Sequence, residues 1–374
     1  MEFLRKQQIE TVIAPKRALV IYGPRRVGKT TLLKSYLSSR KDKKILYVVG
    51  DDFRIRELFK KELRDELLDF ARPYDIVAID EAQQVPSIGL GAKMIIDAFP
   101  EKQLILTGSS SFDLSSKIGE PLTGRHFTLT LLPIAQSEIS GSRFEIKNSL
   151  NNFLIYGAYP EVLSAETKDE KTRILNELVS SYLYKDILAL DKIKSPDLLR
   201  DITRCLAFQV GNEVSLNEIA NTVKSDVKTV GRYIDVLEKM FVIKKIRGFS
   251  RNLRNEISKK AKYYFLDNGI RNAVIGQFSD MEERNDIGAL WENFVFMELY
   301  KKSVIGESQD QYYFWRTHTG KEIDIIRERA GKLTAIECKW SSAAKEPSLW
   351  RETYSESAFL AINRENYLDE ILPE

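Results

Sequence analysis

The sequence predicts an α/β fold built on a parallel sheet with helices on both faces, followed by smaller helical and mixed segments. Three observations predict it. Three apolar runs, "RALVIYG", "YDIVAIDEAQ" and "QLILTGSS", each pass into small or acidic polar residues. Helical stretches such as "IRELFKKELRDELLDFA" alternate with them, which is the pattern of a parallel sheet. The first run leads into "YGPRRVGKTTLL": glycine, four residues, glycine, lysine, threonine.

At 374 residues the chain has room for two or three cores. Its composition, 43% hydrophobic and 30% charged, suits globular domains. No apolar run approaches the ~20 residues of a membrane helix. "MEFLRKQQIE" lacks the apolar core of a secretory signal. Cys205 and Cys338 imply no disulfide framework. The expectation is a cytoplasmic protein with no membrane partner. A net charge of +3 predicts no global attraction to nucleic acid, so the distribution of charge decides.

The first element, residues 17–23, suits a buried parallel strand. Gly23, Pro24, Arg25, Arg26, Val27, Gly28, Lys29, Thr30 and Thr31 follow it and open a helix. Strand, glycine loop, helix is the context in which this spacing cradles phosphates. Loop N–H groups and the positive end of the helix would meet a β-phosphate. Lys29 would reach the β- and γ-phosphates and Thr30 would hold Mg²⁺, so the expected ligand is ATP. The second element ends in Asp80 and Glu81. A buried strand puts them at the carboxyl edge of the sheet, where ligands of open α/β folds sit. Asp80 suits Mg²⁺, and Glu81 can polarise an attacking water. The third element ends in polar residues from Thr107 to Ser110.

Residues 148–195 read as helical. Next, Ser215 can cap a helix presenting Leu216, Ile219, Ala220 and Val223. "KSD" makes a turn, and a second helix presents Val227, Val230, Ile234, Leu237 and Met240. Two short helices around a tight turn make a helix-turn-helix. "FVIKKIRG" and "AKYYFL" read as strands around the loop "FSRNLRNEISKK", giving a winged helix. Residues 224–262 hold eight Lys and four Arg against four acids, a net +8. Such a patch is a footprint for a phosphate backbone. Lys228 and Arg232, one turn apart on the second helix, and Arg251 and Arg254 in the loop are the candidate DNA contacts. A lid or an interface would use the same element differently.

The last segment begins with the helix "GALWENFVFMELYKK", which carries Glu292. "QYYFWRT", "KEIDIIRE" and "TAIECKW" read as strands, with a hairpin turn at "GKL". Glu337 and Lys339 share one face of the last strand, and Cys338 faces away. If Asp324 ends the neighbouring strand, it meets Glu337. Two carboxylates can then hold hard cations, Mg²⁺ or Mn²⁺, while Lys339 orients or deprotonates a water. This resembles the PD-(D/E)xK nuclease core, in which Glu292 would be the helix acid. "SLWRETYSESAFL" offers Tyr354 but not the glutamine that precedes such a tyrosine in some relatives. His318 has no partner cluster and reads as a loop residue.

Taken together, "GPRRVGKTTLL", "IDEAQ", "LTGSSS", "GRHFTLTLLPIAQSEI" and "YGAYPEVL" resemble the archaeal and bacterial AAA-like P-loop ATPases that carry a winged helix and a C-terminal nuclease-like, DUF4143-type domain. The resemblance implies an ATPase core over residues 1–147, a helical lid over 148–195, a winged helix over 196–275 and a restriction-endonuclease-like α/β domain over 276–374. It implies Ser109 as a γ-phosphate sensor, where a serine-rich turn reads equally well. Arg125 would act between subunits of a homo-oligomer or as a sensor, or be a plain turn arginine. "YGAYPEVL" would be packing in the lid. The function implied is ATP hydrolysis on DNA, branched and single-stranded forms included, with metal-dependent cleavage. The alternative is a nucleotide-switched scaffold with an inert nuclease fold.

Overall fold

The computed structural model describes residues 3–109, 121–180, 195–250, 260–317, 320–341 and 344–372. Ser110, Arg251, Arg254 and His318 lie outside them. The chain forms two compact units, one of Arg5–Leu132 with Lys239–Phe241, the other of Met1–Leu4, Pro133–Glu238 and Val242–Glu374.

The first unit is a five-stranded parallel sheet of β1 (Ala18–Tyr22), β2 (Ile45–Val49), β3 (Ile76–Asp80), β4 (Gln103–Gly108) and β5 (His126–Thr130). The spatial order is β2-β3-β4-β1-β5. The three central strands are buried almost throughout, which is why they read as unbroken apolar runs. The edge strands β2 and β5 are only partly buried, although β2, Ile45–Val49, is as apolar as the central strands. Val20, Val77, Ile79, Leu104 and Leu106 pack against Phe59, Leu67, Ile95 and Ala92 from the covering helices. The long helical stretch of the sequence is two helices, Phe53–Lys60 and Arg64–Ala71, separated at Glu62, which is left-handed (φ 55°).

Because β4 lies between β1 and β3, its carboxyl end emerges between the glycine loop and the Asp80–Glu81 pair. That order, which the sequence does not state, places the phosphate site.

The second unit is built on a seven-stranded mixed sheet, β12-β11-β10-β9-β7-β8-β6. Its strands are β6 (Glu213–Ser215), β7 (Ile243–Gly248), β8 (Lys260–Phe265), β9 (Gln311–Arg316), β10 (Glu322–Arg329), β11 (Lys332–Cys338) and β12 (Ala358–Ile362). The sheet runs through both of the last two sequence segments, since β7 pairs in parallel with β9 at Arg247↔Tyr313 and Gly248↔Phe314. The β10–β11 hairpin turns at Ala330 and Gly331, both with positive φ (49° and 77°). That is the type I′ geometry that matches strand twist.

Helices Leu216–Thr222 and Val227–Lys239 flank a turn in which Lys224 is left-handed (φ 51°). Ser215 occupies the N-cap position of the first but makes no side-chain cap hydrogen bond. Asp226 caps the second, accepting from the Thr229 N–H at 2.8 Å. The helix Ile287–Ile305 is buried on nearly every side, as a core helix must be when it is apolar all round. In the "YGAYPEVL" stretch Tyr156, Ala158, Tyr159 and Val162 are buried. Gly157 is left-handed (φ 73°), and a Cβ there would meet Asp267 Oδ1 at 1.9 Å. The Asp267 carboxylate accepts from the N–H groups of Ala158 (2.6 Å) and Ile270 (3.1 Å).

Candidate functional site

The phosphate loop leaves β1 at Gly23 and enters the helix Lys29–Ser39 at Gly28. A Cβ at Gly23 would lie 2.0 Å from the Leu131 carbonyl oxygen, so the position admits only glycine. At Gly28 the space is open, and the left-handed φ of 97° is what requires it. No side chain caps this helix, which leaves its first N–H groups for a ligand. Lys29 is buried, with Nζ donating to the carbonyls of Gly23 (3.0 Å) and Pro24 (2.8 Å). Burial, with Arg25 nearby, brings its ammonium down to about 8 against the pull of Glu81 and Asp80. A buried cation facing open amides is a setting for an anion.

Asp80 is buried at the end of β3 and collects donors. Its Oδ2 accepts from Thr30 Oγ1 (2.7 Å) and the Tyr47 hydroxyl (3.0 Å). Its Oδ1 accepts from Thr107 Oγ1 and the Glu81 N–H (3.2 Å). Tyr47 remains a donor, because burial and the Asp80 carboxylate push its hydroxyl up to about 12. A threonine hydroxyl and a carboxylate converging on one point are hard oxygen ligands that fit Mg²⁺.

Glu81 is left-handed (φ 51°), a strained setting for a non-glycine residue. Its N–H is also held by Thr107 Oγ1 at 3.1 Å. Gly50 makes room for its carbonyl, which would come within 2.3 Å of a Cβ there. The Gln83 amide donates both to Glu81 Oε2 and to Ser109 Oγ, the latter at 3.1 Å. Ser109 therefore reaches Glu81 through Gln83. Tyr47, Thr107 and Gln83 were not assigned from the sequence. Thr107 and Gln83 stand inside the stretches singled out there, but which polar residue faces inward depends on strand register. Tyr47 carries no local signal.

Arg125 sits just before β5, whose first residue, His126, pairs with Ala18 at the start of β1. The glycine loop leaves β1 from the other end, about 17 Å away along a five-residue strand. A sensor role at this chain's own nucleotide does not fit that position. The Arg125 guanidinium pairs with Asp97 at 2.9 Å, with both side chains exposed.

The second cluster lies on the seven-stranded sheet. Asp324 and Glu337 are cross-strand neighbours, as the register Ile325↔Ile336 requires, and the β9–β10 pairing slips just at this place. Asn293 clamps the helix Ile287–Ile305 to β8 by exchanging hydrogen bonds with the Phe265 N–H (2.8 Å) and carbonyl (2.9 Å). The preceding residue, Glu292, thereby faces β8. There its Oε1 accepts from Lys262 Nζ (3.0 Å) and the Tyr264 hydroxyl (2.6 Å). Lys262 Nζ is also 3.9 Å from Asp324 Oδ1. Burial works against this ammonium, but Glu292 and Asp324 raise it above the ordinary lysine range. Lys339 Nζ is 3.2 Å from Glu337 Oε1 and 3.8 Å from Asp324 Oδ2.

The structure brings the expected set of Glu292, Asp324 and Glu337 together, with Lys262 and Lys339 among them. Among the described residues no group of three or more acidic, His or Cys side chains could hold a metal ion. Lys262 stands between Glu292 and Asp324. Asp324 Oδ2 is held by the Cys338 N–H (2.8 Å), and Glu337 Oε2 is near the Asp324 N–H (3.3 Å). In the sequence Lys262 stands within the basic winged-helix segment, which carries no sign of its inward position. Tyr354 packs with Trp350 and Phe249 rather than supporting Lys339. On the second helix of the helix-turn-helix, Lys228 and Arg232 are both exposed.

Residues 15–140 match a family described as an AAA domain. The first unit is an AAA-type P-loop ATPase domain. Residues 147–281 and 287–359 match two families described as domains of unknown function, DUF8612 and DUF4143. The chain is 27% identical over 342 residues to an uncharacterized protein of Haemophilus influenzae, covering 85% of this chain and 81% of that one. It is 26% identical over 341 residues to an uncharacterized protein of Methanocaldococcus jannaschii, covering 86% and 74%. Among solved structures it is similar to the Walker-type ATPase PABY2304 of Pyrococcus abyssi, at TM-score 0.46 and 19% identity over 69% of this chain and 91% of that one. It is also similar to the RuvB Holliday junction branch migration motor of Thermotoga maritima, at TM-score 0.26 and 17% identity over 61% and 81%. No helix among the described residues is long and apolar enough to cross a membrane.

Proposed function

We propose that this chain binds and hydrolyses ATP and acts on DNA. The convergence of Lys29, Thr30, Asp80 and Glu81 at the carboxyl edge of one sheet carries the reading. Lys29 would leave the loop carbonyls for the β- and γ-phosphates. Thr30 and Asp80 would hold Mg²⁺, which when bound offsets phosphate charge. Glu81 would orient the attacking water and accept its proton, and Gln83 would hold the Glu81 carboxylate in register with Ser109. These are positioning and electrostatic roles, as phosphoryl transfer requires.

The DNA half is supported by the exposed Lys228 and Arg232, one turn apart on the second helix of what reads as a winged helix. Arg251 and Arg254, outside the described residues, are DNA contacts in this reading by their sequence alone. Arg125, at the far edge of its sheet, fits a finger offered to a neighbouring copy in a homo-oligomer. A cytoplasmic setting accords with these ligands. The C-terminal core is nuclease-like in this reading, by its Asp324, Glu337 and Lys339 on adjacent strands. Metal-dependent cleavage is left out of this reading, because two ammoniums already stand among the acidic residues.

Two variants test the ATPase reading. Lys29→Ala should lose tight ATP binding. Glu81→Gln should bind ATP and turn it over about 10²–10⁴-fold more slowly, the usual worth of a general base. Phosphate release and nucleotide-induced thermal shifts, with and without DNA, give both readouts. Wild-type turnover in Glu81→Gln would remove that residue from the mechanism.

A further inference from the structure

The acidic cluster of the second unit contains a cation of its own. We propose that Lys262 occupies the place a divalent ion would take, and that this core works without metal. The inference concerns a site that the ATPase reading does not use.

The geometry points there in four ways. First, the Lys262 ammonium lies 3.0 Å from Glu292 and 3.9 Å from Asp324, so it bridges the two carboxylates as a metal would. Second, it is held there. Lys262 lies on β8, between β6 and β7, paired with Glu213 on one side and Ile246 on the other. Its side chain is 3% exposed, with Phe314 5.8 Å below the ammonium. Third, the cluster is closed on the Glu292 side. The Gly211 main chain approaches so nearly that a Cβ there would lie 3.0 Å from Glu292 Oε2. Mg²⁺ keeps several waters and needs room for them. Fourth, a dication beside a fixed ammonium is opposed by Coulomb repulsion, which a buried setting screens poorly.

Two ammoniums therefore answer three carboxylates. Lys262 serves Glu292 and Asp324 inside, and Lys339 serves Glu337 and Asp324 at the half-exposed rim. The chain itself thus offsets two of the three negative charges, and burial pushes the Glu292 carboxyl up to about 7, which eases the remaining repulsion. β8, β10, β11 and the Glu292 helix are tied into one piece at all metal concentrations. The expected role of such a core is to hold or position, not to cut.

The test is a Mn²⁺ titration of the full chain without nucleotide, followed by electron paramagnetic resonance. The Asp80→Asn background removes the phosphate-loop ligand. The expected result is no bound Mn²⁺ that depends on Asp324, and the same melting temperature in EDTA as in millimolar Mn²⁺. One Mn²⁺ bound per chain and lost on adding Asp324→Asn would overturn the proposal. Lys262→Met, if folded, should create an Asp324-dependent Mn²⁺ site, tighter than wild type by at least tenfold. A folded Lys262→Met protein that still binds no Mn²⁺ would also overturn it, because the ammonium would then not be what fills the site. If that variant does not fold, the wild-type titration decides alone.

Discussion

Thr107→Val removes one oxygen from the nucleotide site and keeps the shape of the side chain. Thr107 is fully buried and its hydroxyl does two things. It donates to Asp80 Oδ1, and it accepts from the Glu81 N–H at 3.1 Å. A hydrogen bond to a charged group is worth about 1.5–3 kcal/mol. The Glu81 N–H keeps Asp80 Oδ1 at 3.2 Å, so its loss adds little. Asp80 Oδ2 keeps Thr30 and Tyr47, so ATP should still bind. The loss falls on the orientation of the Asp80–Glu81 pair, and hence on turnover. At 1.36 kcal/mol per factor of ten, a loss of about 1.5–3 kcal/mol slows ATP hydrolysis roughly 10- to 150-fold. Thr107→Ser restores the hydroxyl and should stay within a few-fold of wild type. Steady-state phosphate release measures turnover, and the ATP-induced melting shift shows that binding survives. Turnover in Thr107→Val within threefold of wild type, or Thr107→Ser as slow as Thr107→Val, refutes the reasoning.

Reversing charge at Lys228 and Arg232 should flatten the salt dependence of DNA binding, by about 0.9 in log–log slope for each lost phosphate contact. Fluorescence anisotropy across a salt series checks this, and an unchanged slope places DNA elsewhere. Gly157→Ala should lower the melting temperature sharply, because its Cβ would collide with the Asp267 carboxylate at a left-handed position. Overpacking of this kind costs about 1–3 kcal/mol before backbone strain is added. The Asp310 carboxyl is pushed up by burial, but hydrogen bonds from Arg329 and Ser303 overcome this and hold it at about 2. Its folded pKa lies below the unfolded value. It therefore stabilises the fold at neutral pH and loses that contribution as pH falls from about 4 toward about 2. The melting-temperature gap between wild type and Arg329→Gln should shrink over that interval.

The first unit was largely legible because its information is local. The glycine loop fixes β1 and the following helix, and Asp80 and Glu81 announce the end of a buried strand. β5 is less visible, since His126–Thr130 lacks a full apolar run, whereas β2 carries one throughout. Within the site, the residues that touch the reactive groups by register were not legible. Thr107 meets Asp80 only because β4 inserts between β1 and β3. The same holds with more force for Lys262. Its sequence neighbours are basic, and in a run of net +8 one more lysine reads as part of a DNA-facing surface. What sends it inward is the pairing of β8 between β6 and β7, with Glu292 arriving from a helix thirty residues later. Charge patterning detects a surface, but it cannot tell which member of the run points away from it.

That inward lysine changes what the basic segment can do. As separate domains, a winged helix and a nuclease-like core could hold DNA and swing toward it independently. In the structure the β7–β9 pairing makes their strands one sheet, and the Lys262–Glu292–Asp324 bridge crosses from β8 to the long helix and to β10. Movement of β8 against β10 would separate buried opposite charges, which costs several kcal/mol when a pair of this kind is broken. The helix bearing Lys228 and Arg232 leads directly into β7. DNA held by that helix would therefore meet the sheet at one fixed angle, and the half-exposed Lys339 rim would face it as part of the same rigid surface or not at all. On the function proposed above, this connectivity favours holding by a basic helix fixed to the sheet over a hinged cutter.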